Sequence, residues 1–101
     1  MVRHEVRFVL RFGVFGQLRQ LLKQLHVIER RHNWAEPRCW RAAAGRVNEL
    51  VIVHDYENRD AYEAQRTAYH ESGDAEHGAA LAAIAELMVP GTANETLYEE
   101  L

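Results

Sequence analysis

The chain lacks most of the features that reveal a function from composition alone. It has one cysteine, two prolines and six glycines in 101 residues. The single cysteine, Cys39, excludes an intramolecular disulfide framework and any metal site built on several cysteines. It fits a reducing cytoplasm. No run approaches the roughly 18 apolar residues of a membrane helix, and the first residues alternate polar and apolar, unlike a signal-peptide core. A cytoplasmic protein without membrane association is expected. Positive charge is not in excess: 12 Lys and Arg stand against 15 Asp and Glu, a net charge of -3. The basic residues are interleaved with acidic ones except along the first strand, which speaks against nucleic acid as a partner. The Gly13–Gly16 run lacks the Lys and Ser/Thr of a phosphate-binding loop. Neither His26 and His32 nor His70 and His77 have the i, i+4 spacing of a helical metal pair, so neither metal nor cofactor is expected.

What the chain does contain is periodicity. Its length and its 48% hydrophobic content suit one globular domain. From Val2 to Phe12 the period is two: His4, Val6, Phe8, Leu10 and Phe12 share one face, and Arg3, Glu5, Arg7, Val9 and Arg11 share the other. This predicts a first strand with an apolar face and an arginine-rich face. From Gln17 the period becomes helical, with Leu18, Leu21, Leu22, Leu25 and Ile28 on one stripe. Arg30, Arg31 and His32 favour the negative end of that helix, Asn33 suits its stop, and Pro37 prevents continuation.

The centre of the chain, Pro37 to Tyr56, reads as a β-hairpin. A two-residue turn at Gly45-Arg46 sets Arg41 opposite Leu50, Trp40 opposite Val51 and Cys39 opposite Ile52. Leu50 to Val53 is apolar on both faces, as in a central strand. Asn58 or Asp60, with Glu63 completing a capping box on the latter, starts a second helix whose small face is Ala61, Ala64 and Ala68. Ser72-Gly73 ends it. Asp74 caps a third helix to about Met88, with an apolar stripe of Ala80, Ile84, Leu87 and Met88, and Thr96-Leu97-Tyr98 supplies a last short strand.

This order predicts an α+β, ferredoxin-like β-α-β-β-α-β domain over residues 1–101, with a four-stranded antiparallel sheet and helices on one face. The other face would leave branched apolar residues in water. A twofold-symmetric homodimer, sheet against sheet, is the expected remedy.

The element order, with G-R-V-N-E at Gly45–Glu49, H-D-Y-E-N at His54–Asn58 and T-L-Y-E-E at Thr96–Glu100, resembles the dimeric α/β-barrel superfamily, and within it the small bacterial NIPSNAP-like proteins. The resemblance implies a dimer whose two sheets form a barrel, with space for a small molecule between each sheet and its helices. Related members include cofactor-independent monooxygenases of aromatic polyketides or quinols, haem-degrading monooxygenases and isomerases. The monooxygenases use an asparagine–tryptophan pair joined by histidine or arginine. The stripe Val6-Phe8-Leu10-Phe12 contains no asparagine, so no catalytic assignment carries over.

Candidate chemistry comes instead from residue type and position. His54, near the end of the third strand, is the candidate acid–base residue and shares its face with Tyr56, whereas Asp55 points away. The plainer reading of His54 is a half-exposed strand end with one hydrogen bond. Trp40 and Tyr56 are candidates for stacking on a planar ligand, against the plainer role of filling core or interface. Arg7 and Arg11 share a face and are candidates to bind a carboxylate or phenolate; the competing role is ion pairing with Glu49 or Glu99. Cys39 is expected to be a small buried hydrophobe. The expectation is a NIPSNAP-like dimer holding a small apolar or aromatic molecule. The alternatives are a cofactor-independent monooxygenase or isomerase using Trp40, His54 and an arginine, or a non-catalytic dimerisation or partner-binding module.

Overall fold

The computed structural model describes all 101 residues. In chain order the elements are β1 (Val2–Val9), α1 (Phe15–Arg31), β2 (Arg38–Arg41), β3 (Glu49–Tyr56), α2 (Arg59–Glu71), α3 (Ala75–Leu87) and β4 (Asn94–Glu99). The four strands form one antiparallel sheet in the order β2-β3-β1-β4. This is the ferredoxin-like arrangement that the periodicity predicts, with α2 and α3 sharing the second crossover.

Local chemistry accounts for most of the boundaries. The Asn58 side chain accepts the Ala61 N–H at 2.9 Å and Asp74 accepts the His77 N–H at 3.1 Å, which starts α2 and α3. Asn33 leaves α1 in the left-handed region at φ 55. The hairpin pairs Arg41 with Leu50, Trp40 with Val51 and Cys39 with Ile52, the register that a turn at Gly45-Arg46 requires. The Ala42 N–H still reaches the Glu49 carbonyl at 3.0 Å, and beyond it the chain leaves the ladder through Gly45 at φ 99 and Asn48 at φ 59.

Three sequence expectations need correction. The first strand ends at Val9, not Phe12: Leu10 forms only an isolated bridge with Met88, and Phe12 is 82% exposed. The Arg11 N–H turns to the Leu87 carbonyl, and Gly13 at φ 80 bends the chain into α1. On α2, Ala61 and Ala64 point outward while Tyr62, Gln65 and Tyr69 face the sheet side. These larger side chains, at i, i+3 and i+7, hold α2 away from the sheet instead of permitting close approach. Cys39 is exposed, because it sits on the edge strand β2 where no further strand covers it.

The apolar core joins Phe8 and Leu10 with Leu50 of β3, Leu18 and Leu25 of α1, and Ala80 and Ile84 of α3. It occupies one end of the sheet's helical face. Along β1, the inward positions run from Phe8 through Val6 to His4; along β3, they run from Leu50 through Ile52 to His54 and Tyr56. The same pleat therefore carries the interior from hydrocarbon to imidazole and phenol over a few residues.

Candidate functional site

At the polar end of this gradient lies a cleft of about 300 Å³ between β1, β3, β4 and α2. His4 and His54 are direct partners across β1 and β3, with ring centroids 6.0 Å apart. Tyr62 of α2 covers them, 5.6 Å from His4 and edge-on to Tyr56 at 5.5 Å. Tyr69, Arg66 and Glu95 complete the lining with His70. A larger groove, about 440 Å³, runs between α1 and α3, but it is lined mainly by Leu21, Val27, Ile28 and alanines and offers little chemistry.

Two of the three cleft histidines, His4 and His54, have a carboxylate neighbour. His4 Nε2 lies 2.6 Å from Glu95 Oε1 on the adjacent strand. His4 Nδ1 makes no hydrogen bond and is not sealed off by the protein. His54 Nε2 lies 3.7 Å from Oε2 of Glu29, an α1 residue that is only 1% exposed. That separation is too long for a hydrogen bond. Both nitrogens of His54 and Oε1 of Glu29 are buried without a hydrogen-bond partner. Most buried polar atoms in folded proteins are paired, so these three set the His54–Glu29 end of the cleft apart from the apolar core.

Gln65 organises the tyrosines. Its Oε1 accepts the Ala35 backbone N–H at 2.8 Å, which fixes the orientation of the amide. Its Nε2 must then donate, and it does so to the hydroxyls of Tyr56 at 2.9 Å and Tyr69 at 2.8 Å. Each phenol oxygen is used as an acceptor, so each phenol hydrogen is free to be donated. Burial pushes the Tyr56 hydroxyl up to about 12 and raises that of Tyr69 further, with the Glu29 charge adding to both. Both groups are therefore neutral donors at physiological pH.

Behind this wall, Trp34 stacks on His32 at 4.0 Å and meets Tyr69 edge-on at 4.6 Å and His77 at 5.0 Å. His32 Nε2 lies 2.6 Å from Asp74, whose carboxyl this contact holds below the usual range. Burial lowers the affinity of the His77 imidazole for a proton below its ordinary value of 6.5, and the charges of Glu29 and Asp74 only partly oppose this. The unfolded chain then binds a proton at His77 more readily than the folded one. The stability His77 contributes is complete above pH 6.5 and is lost as pH falls from there toward the depressed folded value. Urea denaturation is expected to show stability falling from pH 7 to 5.5, and His77→Phe to flatten that slope. An unchanged slope in the variant would place its origin elsewhere.

The structure separates the residues that sequence reasoning grouped together. His54 and Tyr56 meet in the cleft. Trp40 lies on the opposite face of the sheet, beside Val51 and 58% exposed. Arg7 shares that face, where it forms ion pairs with Glu49 at 2.9 Å and Glu5 at 3.1 Å. Arg11 lies past the end of β1 and donates to the Glu86 carbonyl at 3.1 Å. The arginine at the cleft is Arg66, which forms no ion pair. Sequence reasoning missed Glu29, Gln65, Arg66 and the role of His4. Two of these carried a signal: His4 interrupts the apolar face of β1, and Glu29, four residues after Leu25, falls on the buried stripe of α1.

The sequence matches no protein-family model, and no curated protein matches it. Solved structures do match. A NIPSNAP domain protein from Burkholderia xenovorans superposes with a TM-score of 0.75 at 16% identity, covering 100% of this chain and 95% of that one. A NIPSNAP family protein from Agrobacterium tumefaciens gives 0.76 at 12% identity, over 99% and 92%. The chain has the NIPSNAP-like fold. An antibiotic biosynthesis monooxygenase shares it more distantly in sequence, with a TM-score of 0.70 at 9% identity over 100% and 99% of the two chains. No helix of this NIPSNAP-like chain is long and apolar enough to cross a membrane.

Proposed function

We propose that this NIPSNAP-like protein is a cytoplasmic homodimer that binds a small aromatic molecule, bearing a polar or anionic substituent, in the cleft between the sheet and α2. The observation that carries the proposal is the lining of that cleft. Its 300 Å³ lies at the lower end of the range for small-molecule sites, and phenol rings surround a few convergent polar groups. Tyr56, Tyr62 and Tyr69 suit an aromatic ring; the free phenol hydrogens, His4 and Arg66 suit its substituent. Isothermal titration with benzoate, phenylacetate and phenol tests this directly. Saturable binding at one site per chain, weakened by Tyr62→Ala, is expected. Failure of all three to bind at millimolar concentration would overturn the proposal.

The dimer rests on the other face of the sheet. Trp40, Val51 and Tyr98 stand there among Arg3, Arg38, Asp55, Arg7 and Glu49, and Trp40 and Tyr98 are at least half exposed. Asp55 accepts from Arg3 at 2.8 Å and from Arg38 at 2.8 Å, and Arg7 pairs with Glu49 and Glu5, so the three arginines of this face are matched by three carboxylates within one chain. A partner sheet would then cover an aromatic and aliphatic surface without stranding a charge. Sedimentation analysis is expected to give a dimer at micromolar concentration and a monomer for Trp40→Glu. A monomeric wild-type protein would contradict this interface.

A further inference from the structure

We infer that the cleft catalyses keto–enol tautomerisation of a small aryl-substituted 2-oxo acid, with His4 as the proton-transferring residue. The inference rests on the reading of the cleft as an aromatic ligand site and adds a substrate class and a reaction to it.

Three requirements of such a reaction have a matching group. A carboxylate needs a cation, and Arg66, an exposed residue lining the cleft, has no ion pair of its own. The developing enolate oxygen needs donors that stay protonated. Tyr56 and Tyr69 supply two phenol hydrogens, left free because Gln65 occupies both oxygens as acceptors. The carbon acid needs a base held in one tautomer. Glu95, 2.6 Å from His4 Nε2, favours the proton on that nitrogen and leaves Nδ1, on a ring that lines the cleft, as the acceptor. Tyr62, against His4, provides a surface for the aryl ring.

The step balances within the site. His4 Nδ1 takes a proton from C3 of the oxo acid; the C3–H electrons form the C2=C3 bond and the carbonyl π electrons move to O2. The phenol hydrogens of Tyr56 and Tyr69 hold the resulting oxyanion, and Glu95 stabilises the imidazolium. The imidazolium then delivers its proton to O2, which yields the enol and restores the neutral imidazole. No oxidant or reductant takes part. His4 touches the substrate and is a catalytic residue in this scheme, whereas Glu95 acts through His4 and is a positioning residue.

The test uses phenylpyruvate in deuterium oxide, with loss of the C3 proton signal read by NMR and enol formation read by ultraviolet absorbance. Wild-type protein is expected to accelerate both above the buffer rate. His4→Gln should lose about a hundredfold or more of that acceleration. Arg66→Gln should raise KM about tenfold with little change in kcat. Glu95→Gln changes an exposed strand residue and should lower kcat about tenfold with KM little changed, a split that a purely structural role would not produce. Titration with benzoylformate, which has no C3 hydrogen, is run in parallel. Binding of benzoylformate without exchange of phenylpyruvate would overturn the tautomerase while leaving the ligand site standing. Absence of both would overturn the ligand site as well. Exchange undiminished in His4→Gln would overturn the assignment of the base.

Discussion

Phe8→Ala is expected to lower the unfolding free energy by about 3–5 kcal/mol, the usual range for truncating a buried phenylalanine. Phe8 is 1% exposed and joins Leu50, Leu18 and Ile84 in the single large apolar cluster. A protein of this size has a total stability of about 5–15 kcal/mol, so the loss would leave a marginal or partly unfolded chain. The effect should be far larger than that of truncating Val9, which lies next in sequence but on the other face of the sheet. Guanidinium denaturation of both variants reads the difference. A loss below about 1 kcal/mol for Phe8→Ala, too small for removal of a buried aromatic ring, would mean that the core is not centred where the fold places it.

Gln65→Leu carries the second large effect and bears on the site. The substitution keeps the approximate size of the side chain but removes an acceptor from the Ala35 N–H and a donor from each of Tyr56 and Tyr69. Leaving buried or half-buried groups unpaired costs about 1–3 kcal/mol each, partly recovered where water can reach them, so a net loss of about 2–4 kcal/mol is expected. The same change frees the two phenols to rotate and should weaken binding of aromatic acids severalfold. Gln65→Glu separates the two effects. A carboxylate can still accept from Ala35 but cannot donate to the tyrosines, which would instead donate to it and turn their hydrogens away from the cleft. Full stability and full binding in Gln65→Leu would contradict the organising role given to this residue.

Much of the fold was legible in the sequence because it is set by local rules. The alternation of Val2 to Val9, the leucine spacing of α1, the caps at Asn58 and Asp74 and the hairpin register all depend on residues close together in the chain. The end of β1 was misplaced because Phe12 continues the alternation while the backbone, drawn to Leu87 and bent at Gly13, does not. Parity alone separates Trp40 from His54. Trp40 pairs with Val51, an odd number of residues from His54, so the two must point to opposite faces. The cleft itself was not legible. Its existence depends on how far Tyr62, Gln65 and Tyr69 hold α2 from the sheet, and its buried carboxylate reaches His54 from a helix 25 residues earlier in the chain. Periodicity shows which face a residue takes, but not how closely two elements approach.

One measurement tests the central claim most directly: a ¹H–¹⁵N NMR titration of the isotope-labelled protein with phenylacetate. Saturable shifts are expected on His4, His54, Tyr62, Arg66 and Tyr69 around the cleft, with Trp40 and Val51 across the sheet unmoved. Shifts confined to the sheet's other face or to the groove between α1 and α3, or none up to millimolar ligand, would contradict it.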